Sequence, residues 1–75
     1  MPFVSVKVVE GTLSAEQKQQ LITRLTDTIV SIDGEGARGV TWVVIEEIAS
    51  GEWGIGGQLQ TTAYINGLKA KGAAG

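Results

Sequence analysis

Two strand-like segments flank a single amphipathic helix in this chain, and that order leaves few folds open to it. Phe3–Val9 alternates apolar and polar residues from Val4 to Val8, which is the period of a β-strand. Val40–Ile45 forms the second segment and is rich in β-branched residues, as strands are. A helix that crosses over between two strands of one sheet implies parallel strands and a right-handed connection.

The helix between the strands has a clear start and one apolar stripe. Ser14 precedes Gln17 by three residues, which is the spacing of a capping box with Ser14 as the N-cap. We expect the helix to run to about Ser31, because Asp33-Gly34-Glu35-Gly36 then breaks the pattern. Apolar residues at three- and four-residue steps form the stripe: Leu21, Ile22, Leu25, Ile29 and Ile32.

The second strand is apolar on both of its faces. Val40, Trp42 and Val44 alternate with Thr41, Val43 and Ile45, a pattern typical of a strand that is buried on both sides. One helix covers only one face, and a chain of 75 residues has little else with which to cover the other. We therefore predict a homo-oligomer in which a second copy covers that face.

A glycine-dense segment follows the second strand. Gly51–Gly57 contains Trp53 and Ile55, and Gln58–Ile65 allows another short strand, so a C-terminal β-hairpin is expected. No second helix is predicted. The fold class is therefore α+β, a β-α-β protomer with a hairpin, in a single domain over 1–75 whose residues 67–75 are expected to form a flexible tail.

Composition excludes several classes of chemistry. The chain has neither cysteine nor histidine, which removes disulfides, thiol nucleophiles, Ser/His/Asp triads and tight zinc sites, so we predict no metal and no cofactor. The net charge is −2 and the basic residues are dispersed, which argues against nucleic acid. No stretch suits a membrane span or a signal peptide, so a cytoplasmic protein is expected.

Pro2 is the only proline, and it directly follows Met1. Removal of Met1 would leave Pro2 with a free secondary amine. An α-amino group has a pKa of about 7.7–8.0, and partial burial lowers that pKa toward neutrality, where a general base works best. The alternative is structural, since proline is tolerated at the first residue of an edge strand.

Two further segments offer binding residues. The glycine-dense segment lacks the Lys-Ser/Thr of a P-loop and leads into a strand rather than a helix, so it does not match a phosphate-binding motif. Arg38 lies in the loop that enters the second strand and is the better anion-binding candidate of the two arginines. The alternative for Arg38 is an ordinary solvated charge.

Several short motifs in this order resemble the 4-oxalocrotonate tautomerase family over about residues 2–60. They are Pro2 after Met1, Val9-Glu10-Gly11, Glu16-Gln17-Lys18 with Leu21-Ile22, Ile45-Glu46-Glu47, and Gly51 with Trp53-Gly54-Ile55-Gly56-Gly57-Gln58-Leu59. The resemblance implies β-α-β protomers assembled into hexamers with active sites at subunit boundaries. It also implies that Pro2 is the acid/base that moves a proton in an enol or dienol acid without a cofactor, and that Trp53 lines the pocket.

The chain also departs from that family. Well-known members have an arginine just after the Glu-Gly that ends the first strand and another inside the second strand, where they bind substrate oxygens. This chain has Thr12 or Leu13 at the first position and Trp42 at the second. Each lost charge-assisted hydrogen bond weakens binding by roughly 1.5–3 kcal/mol. Trp42 and Trp53 suit a less charged, aromatic enol acid, while Arg38, or a different chain that carries the arginines, would supply the missing cation.

Two classes of function follow. The first is a cofactor-independent isomerase that converts an enol acid or unsaturated keto acid, with Pro2 catalytic and with Trp53, Trp42 and Arg38 binding the substrate. The same amine also suits hydration, dehalogenation or decarboxylation. The second is a non-catalytic or partner subunit of a tautomerase-like oligomer, which the missing arginines favour.

Overall fold

A computed structural model describes residues 1–72 of the chain. It contains four strands, two α-helices and a short 3₁₀ helix. In chain order they are β1 (Phe3–Val9), α1 (Ala15–Asp33), the 3₁₀ helix (Glu35–Val40), β2 (Trp42–Ile48), β3 (Trp53–Ile55), β4 (Gln58–Gln60) and α2 (Thr62–Gly72). The predicted β-α-β unit with a C-terminal hairpin is confirmed.

The chain divides into two compact units. The first comprises Met1–Val6 and Ser14–Glu46, and the second comprises Lys7–Leu13 and the described residues from Glu47 onward. Within residues 1–72, the first unit has one buried apolar side chain, Val30, and the second has one, Val9. No side chain in that range is completely buried, so the chain alone has very little hydrophobic core.

Strands β1 and β2 form a two-stranded sheet. The Trp42 amide donates to the Pro2 carbonyl at 2.9 Å, and the Glu10 amide donates to the Ile48 carbonyl at 2.8 Å. The start of one strand therefore pairs with the start of the other, and the ends pair likewise, as in a parallel ladder. This confirms the parallel arrangement expected from the crossover helix.

Helix α1 begins as the sequence predicts. Ser14 is the N-cap, and its hydroxyl accepts from the Gln17 amide at 3.1 Å while the Gln17 side chain accepts from the Ser14 amide at 2.9 Å. The helix ends at Asp33, two residues beyond Ser31, and the Gly34 amide donates to the Val30 carbonyl at 2.8 Å. Gly34 has φ 99°, a conformation that glycine adopts readily.

The 3₁₀ helix was not predicted. Its residues were expected to form a loop that leads into a strand from Val40, but the strand begins at Trp42. The Thr41 hydroxyl donates to the Ala37 carbonyl at 2.8 Å, which closes the last turn. At its far end β2 extends beyond the segment Val40–Ile45 and ends at Ile48.

The hairpin has the tight turn that its glycines indicate. Trp53 pairs with Gln60 and Ile55 with Gln58, which leaves Gly56 and Gly57 as a two-residue turn. Their φ angles are 58° and 83°, and turns with positive φ at both central residues match the twist of antiparallel strands.

The strand predicted over Gln58–Ile65 is wrong beyond Gln60, because α2 begins at Thr62. The Thr61 hydroxyl accepts from the Tyr64 amide at 3.1 Å, so Thr61 supplies the N-terminal cap. Residues 67–72 continue this helix, and residues 73–75 lie outside the described residues. The single domain and the flexible tail over 67–75 stay predictions.

Helix α2 is attached by a row of three polar side chains, which we call the polar ladder: Thr62, Asn66 and Lys69. The Thr62 hydroxyl donates to the Glu10 carbonyl at 2.6 Å, the Asn66 amide donates to the Gly11 carbonyl at 3.3 Å, and the Lys69 ammonium donates to the Thr12 carbonyl. The spacing of four and then three residues places all three side chains on one helix face. They bind three consecutive carbonyls of the loop after β1.

The polar ladder also explains the backbone of Gly11. This residue has φ 74°, and a Cβ at that position would lie 3.0 Å from the Thr62 Cγ2 atom. Both the conformation and the close approach of α2 therefore require glycine here.

We expect Asn66→Ala and Lys69→Met each to lower the free energy of unfolding by about 0.5–1.5 kcal/mol, because each removes one donor from the loop after β1. Chemical denaturation at fixed protein concentration measures the change. Lys71→Met is the matched control, since Lys71 makes no side-chain hydrogen bond or ion pair among residues 1–72. Equal stabilities for all three variants would show that the polar ladder does not hold α2.

Candidate functional site

Pro2 is fixed at the start of the sheet. It directly precedes β1, its carbonyl accepts the hydrogen bond from the Trp42 amide, and its side chain is half-buried. Proline suits this position because the first residue of a strand at a sheet edge needs no amide hydrogen for the ladder. The pairing therefore brings the predicted catalytic residue next to the predicted binding residue Trp42.

Phe3 and Trp42 form an aromatic pair beside Pro2. Their ring centroids are 6.2 Å apart, and the ring planes are tilted by 32°, within the range that aromatic pairs prefer. Phe3 is 61% exposed and Trp42 is 54% exposed. Much of the surface of both rings is therefore free to meet another molecule.

An open cavity of about 290 Å³ lies at this pair. It is lined by Met1, Pro2, Phe3 and Trp42, so no ionisable side chain contributes to its walls. A second open cavity, of about 330 Å³, also borders Trp42 and is lined by residues of α1 and β2 together with Thr41. An apolar setting of this kind favours the neutral form of an amine.

Arg38 lies in the 3₁₀ helix rather than in a loop and is bound by two carboxylates. Its Nη1 atom lies 2.8 Å from Asp27 Oδ1, and its Nε atom lies 2.7 Å from Glu35 Oε1. These contacts hold the pKa of the Arg38 guanidinium above its ordinary value, through the hydrogen bond to Glu35 first and the one to Asp27 second. Arg38 does not line the cavity at Pro2.

Trp53 belongs to the second unit, whereas Pro2, Trp42 and Arg38 belong to the first. Trp53 is partly buried and begins β3 opposite Gln60. The residues before it are held by backbone hydrogen bonds, from Glu52 to the Ala49 carbonyl at 3.0 Å and from Gly51 to the Gln60 carbonyl at 3.4 Å. The hairpin therefore gives Trp53 a defined position within its own unit.

Thr12 or Leu13 occupies the position after β1 at which the family resemblance implies an arginine. Thr12 is buried, and its hydroxyl donates to the Val9 carbonyl at 2.7 Å. The Thr12 hydroxyl therefore stabilises the loop after β1 and does not face a ligand. The cation at this loop is Lys69, which donates to the Thr12 carbonyl.

Sequence reasoning did not identify Phe3 or the partners of Arg38. The sequence does indicate Phe3, because it is an aromatic residue directly after Pro2. It also indicates Glu35 as a partner of Arg38, because the two residues are three positions apart. Asp27 is eleven residues from Arg38, and only the fold brings the two together.

Within residues 1–72, no group of three or more carboxylates is placed to hold a metal ion. No helix in that range has the length and apolar character needed to cross a bilayer.

Comparison with known proteins decides the family. The sequence model of the tautomerase enzyme family matches residues 2–63. The chain belongs to the tautomerase family.

Similar proteins agree with the tautomerase assignment. A protein of Dickeya dadantii named "Probable tautomerase K2" is 39% identical over 61 residues, which are 81% of this chain and 90% of the relative. The crystal structure of an apo unfused 4-OT has a TM-score of 0.69 at 34% identity, over 84% of this chain and 97% of that one. A homologue of 4-oxalocrotonate tautomerase has a TM-score of 0.70 at 30% identity, over 79% and 90%.

These findings confirm the resemblance found in the sequence, which was to the 4-oxalocrotonate tautomerase family of the tautomerase superfamily. Family membership supports a tautomerase-like isomerase, and it implies a small-molecule substrate and an oligomeric assembly. The match to the family begins at Pro2, the residue that follows Met1.

Proposed function

We propose that the chain, after loss of Met1, is a cofactor-independent isomerase that interconverts an enol or dienol acid and its keto form. Pro2 is the proton shuttle. The observation that best supports this proposal is the position of Pro2, which is the first residue of the family match and lines an apolar cavity next to Trp42.

The reaction needs one group that both accepts and donates a proton. The Pro2 nitrogen takes the proton from the enol hydroxyl, the O–H electron pair forms the carbonyl, and the carbon–carbon π pair takes a proton from the Pro2 ammonium. The O–H bond breaks and a C–H bond forms, so protons and electrons balance and the amine is regenerated. General acid–base catalysis of this kind contributes about 10²–10⁴-fold.

Met1 decides whether Pro2 performs this step. While Met1 is attached, the Pro2 nitrogen is part of a peptide bond and its electron pair is delocalised into the carbonyl. Removal of Met1 converts it to a basic secondary amine. The amine then lies beside the Phe3 and Trp42 rings, where the apolar surroundings favour its neutral form.

We expect the mature protein to lack Met1 and to gain a single adduct at Pro2 when it is treated with 3-bromopropiolate, because only a free amine there attacks the electrophile. Intact mass and peptide mapping measure both changes. Pro2→Ala should reduce turnover of 2-hydroxymuconate, the dienol form of 4-oxalocrotonate, by about 10²-fold or more. Equal turnover by the two proteins would exclude Pro2 as the shuttle.

Substrate binding is proposed for Trp42, Trp53 and Arg38. Trp42 lines the cavity at Pro2, and Trp53 has a fixed position in the hairpin. Arg38 is the anion-binding candidate, but a substrate carboxylate must compete with Asp27 and Glu35 for its guanidinium. We propose that Arg38 exchanges its contact with Asp27 for one with the substrate.

Asp27→Asn should therefore lower KM for an enol acid by about two- to fivefold, because it releases one side of Arg38, and Arg38→Gln should raise KM by a similar factor. Steady-state kinetics at low ionic strength measures both. Asp33→Asn is the matched control, since Asp33 is an exposed carboxylate with no ion-pair partner among residues 1–72. If Arg38→Gln leaves KM unchanged, Arg38 does not bind the substrate.

We propose further that the chain forms a cytoplasmic homohexamer. Besides Met1, nine large apolar side chains are exposed in residues 1–72 of the single chain, among them Ile32 at 84%. Association would remove such side chains from water, which is the main driving force for protein assembly. Native mass spectrometry is expected to show six chains, and a monomer at micromolar concentration would contradict this.

A second function, a partner subunit that does not catalyse alone, is favoured by one observation. The two positions at which the family resemblance implies substrate-binding arginines have no cation in this chain: Thr12 or Leu13 occupies the first, and Trp42 occupies the second. A different chain that carries those arginines would then complete the site. A homomeric preparation that is unreactive toward both the electrophile and the enol acid would support this second function and exclude the first.

A further inference from the structure

We infer that helix α2 opens as a unit, so that it detaches from the loop after β1 and loses its helical structure while the rest of the chain stays folded. The protein then has a closed state, in which the polar ladder is formed, and an open state, in which it is broken. This inference goes beyond the proposed function, because it does not involve Pro2 and none of its tests depends on turnover.

The first argument is that α2 buries very little surface. None of its residues from 62 to 72 is buried, and its large apolar side chains Tyr64 and Leu68 remain 51% and 48% exposed. Helix α1, in contrast, contains the buried side chain of Val30. Segments with little buried apolar surface open at a lower free energy than segments that carry the core. Of the two helices, α2 is therefore expected to open first.

The second argument is that α2 is too weak a helix to persist alone. It has 11 residues, whereas isolated helices shorter than about 12–15 residues are marginal in water. Asn66 and Gly67 lie near its middle, and glycine is among the weakest helix formers. Beyond the helix backbone and the two neighbouring residues, no atom of residues 1–72 lies within 4 Å of the place that a Cβ of Gly67 would take. Detachment of α2 therefore also melts it.

The third argument is the kind of contact that holds α2 closed. The polar ladder attaches it to main-chain carbonyls of the loop after β1, and the Thr62 amide donates to the Ser50 hydroxyl at 3.0 Å. Each hydrogen bond of this kind contributes little net stability, because water replaces the partner when the bond breaks. These bonds must offset the conformational entropy that the helix loses when it forms. The balance between the closed and open states is therefore narrow.

The loop after β1 has its own contacts, which do not involve α2. The Gly11 amide donates to Glu47 Oε2 at 3.4 Å, and the Ser50 amide donates to Glu10 Oε1 at 3.1 Å. Both bonds join the end of β1 and its loop to residues at or after the end of β2. Because these bonds remain when the polar ladder breaks, α2 opens without unfolding the loop.

Opening changes the surface that the hairpin presents. In the closed state Tyr64 and Leu68 of α2 line an open cavity of about 480 Å³, together with Ile55, Leu59 and two glutamines of the hairpin. The open state lacks the wall that Tyr64 and Leu68 form. Residues 64 and 68 lie on the helix face opposite to the polar ladder. The polar ladder therefore controls, from the other side of the helix, whether this cavity exists.

Hydrogen exchange of the intact protein, followed by mass spectrometry of its peptides, measures the opening of each helix. Local unfolding occurs within about microseconds to seconds, so exchange over minutes reports the equilibrium between the closed and open states. After correction for intrinsic rates, amides of residues 66–72 should exchange at least about tenfold faster than amides of residues 19–33 in α1. Equal protection of the two helices would overturn the inference, including the case in which a neighbouring copy covers α2.

Two variants should favour the open state. Thr62→Val and Lys69→Met each remove one donor of the polar ladder, so exchange in α2 should become about three- to tenfold faster. Lys71→Met is the matched control and should exchange like the parent protein, since the Lys71 side chain has no hydrogen-bond partner among residues 1–72. Unchanged exchange in α2 of both ladder variants would show that these bonds do not hold the helix closed.

A third variant should favour the closed state, which damage to the fold does not do. Gly67→Ala strengthens the helix and leaves the polar ladder intact, so exchange in α2 should become about three- to fivefold slower. If this variant does not slow exchange in α2, formation of the helix is not part of the opening and the inference is wrong.

The dependence of exchange on urea provides a separate test. Below the unfolding transition, exchange in α2 should depend only weakly on urea, whereas exchange in α1 should rise steeply, because the slope scales with the surface that each opening exposes. Equal slopes for the two helices would mean that α2 exchanges only when the whole protein unfolds, and the open state would then not exist.

Discussion

The parallel pairing of β1 with β2 is the constraint on which the proposed site depends. It begins at the first residues of both strands, where the Trp42 amide binds the Pro2 carbonyl. This single hydrogen bond fixes the chain direction at Pro2 and places Trp42 opposite it. Because Phe3 follows at once, the two aromatic rings lie at the same end of the sheet as the proline. If the register of β2 shifted by one residue, the Trp42 side chain would move to the opposite face of the sheet and would be separated from the Phe3 ring.

The family determines the fold of this chain more closely than it determines the surroundings of the proline. The β-α-β unit, the capping box and the two-glycine hairpin turn fit the tautomerase family. The surroundings of the site are described by this chain's own side chains: the aromatic residues Phe3 and Trp42 lie beside Pro2, and the guanidinium of Arg38 already contacts two carboxylates.

The parts of the fold that local patterns specify were predictable. The alternation of β1, the capping box of α1 and the glycine turn of the hairpin each depend on residues close in sequence. Helix α2 was missed because side chains from Thr62 to Lys69 attach it to carbonyls more than fifty residues away. The ion pair of Arg38 with Asp27 was missed for the same reason, whereas its contact with Glu35 follows from local spacing. Pro2 could be proposed from the sequence because the chemistry proposed for it depends on its position directly after Met1.

The way in which α2 is held affects which residues can vary in evolution. Its three donors bind main-chain carbonyls, which every amino acid provides, so the side chains of the loop contribute little to the docking of the helix. Gly11 cannot vary freely, because its φ of 74° favours glycine. Thr12 is also constrained, because its hydroxyl donates to the Val9 carbonyl. Leu13 is half-buried, and its side chain has no group that could bind a donor of α2. Replacement of Leu13 by another residue would therefore leave the three hydrogen bonds that hold the C-terminal helix in place.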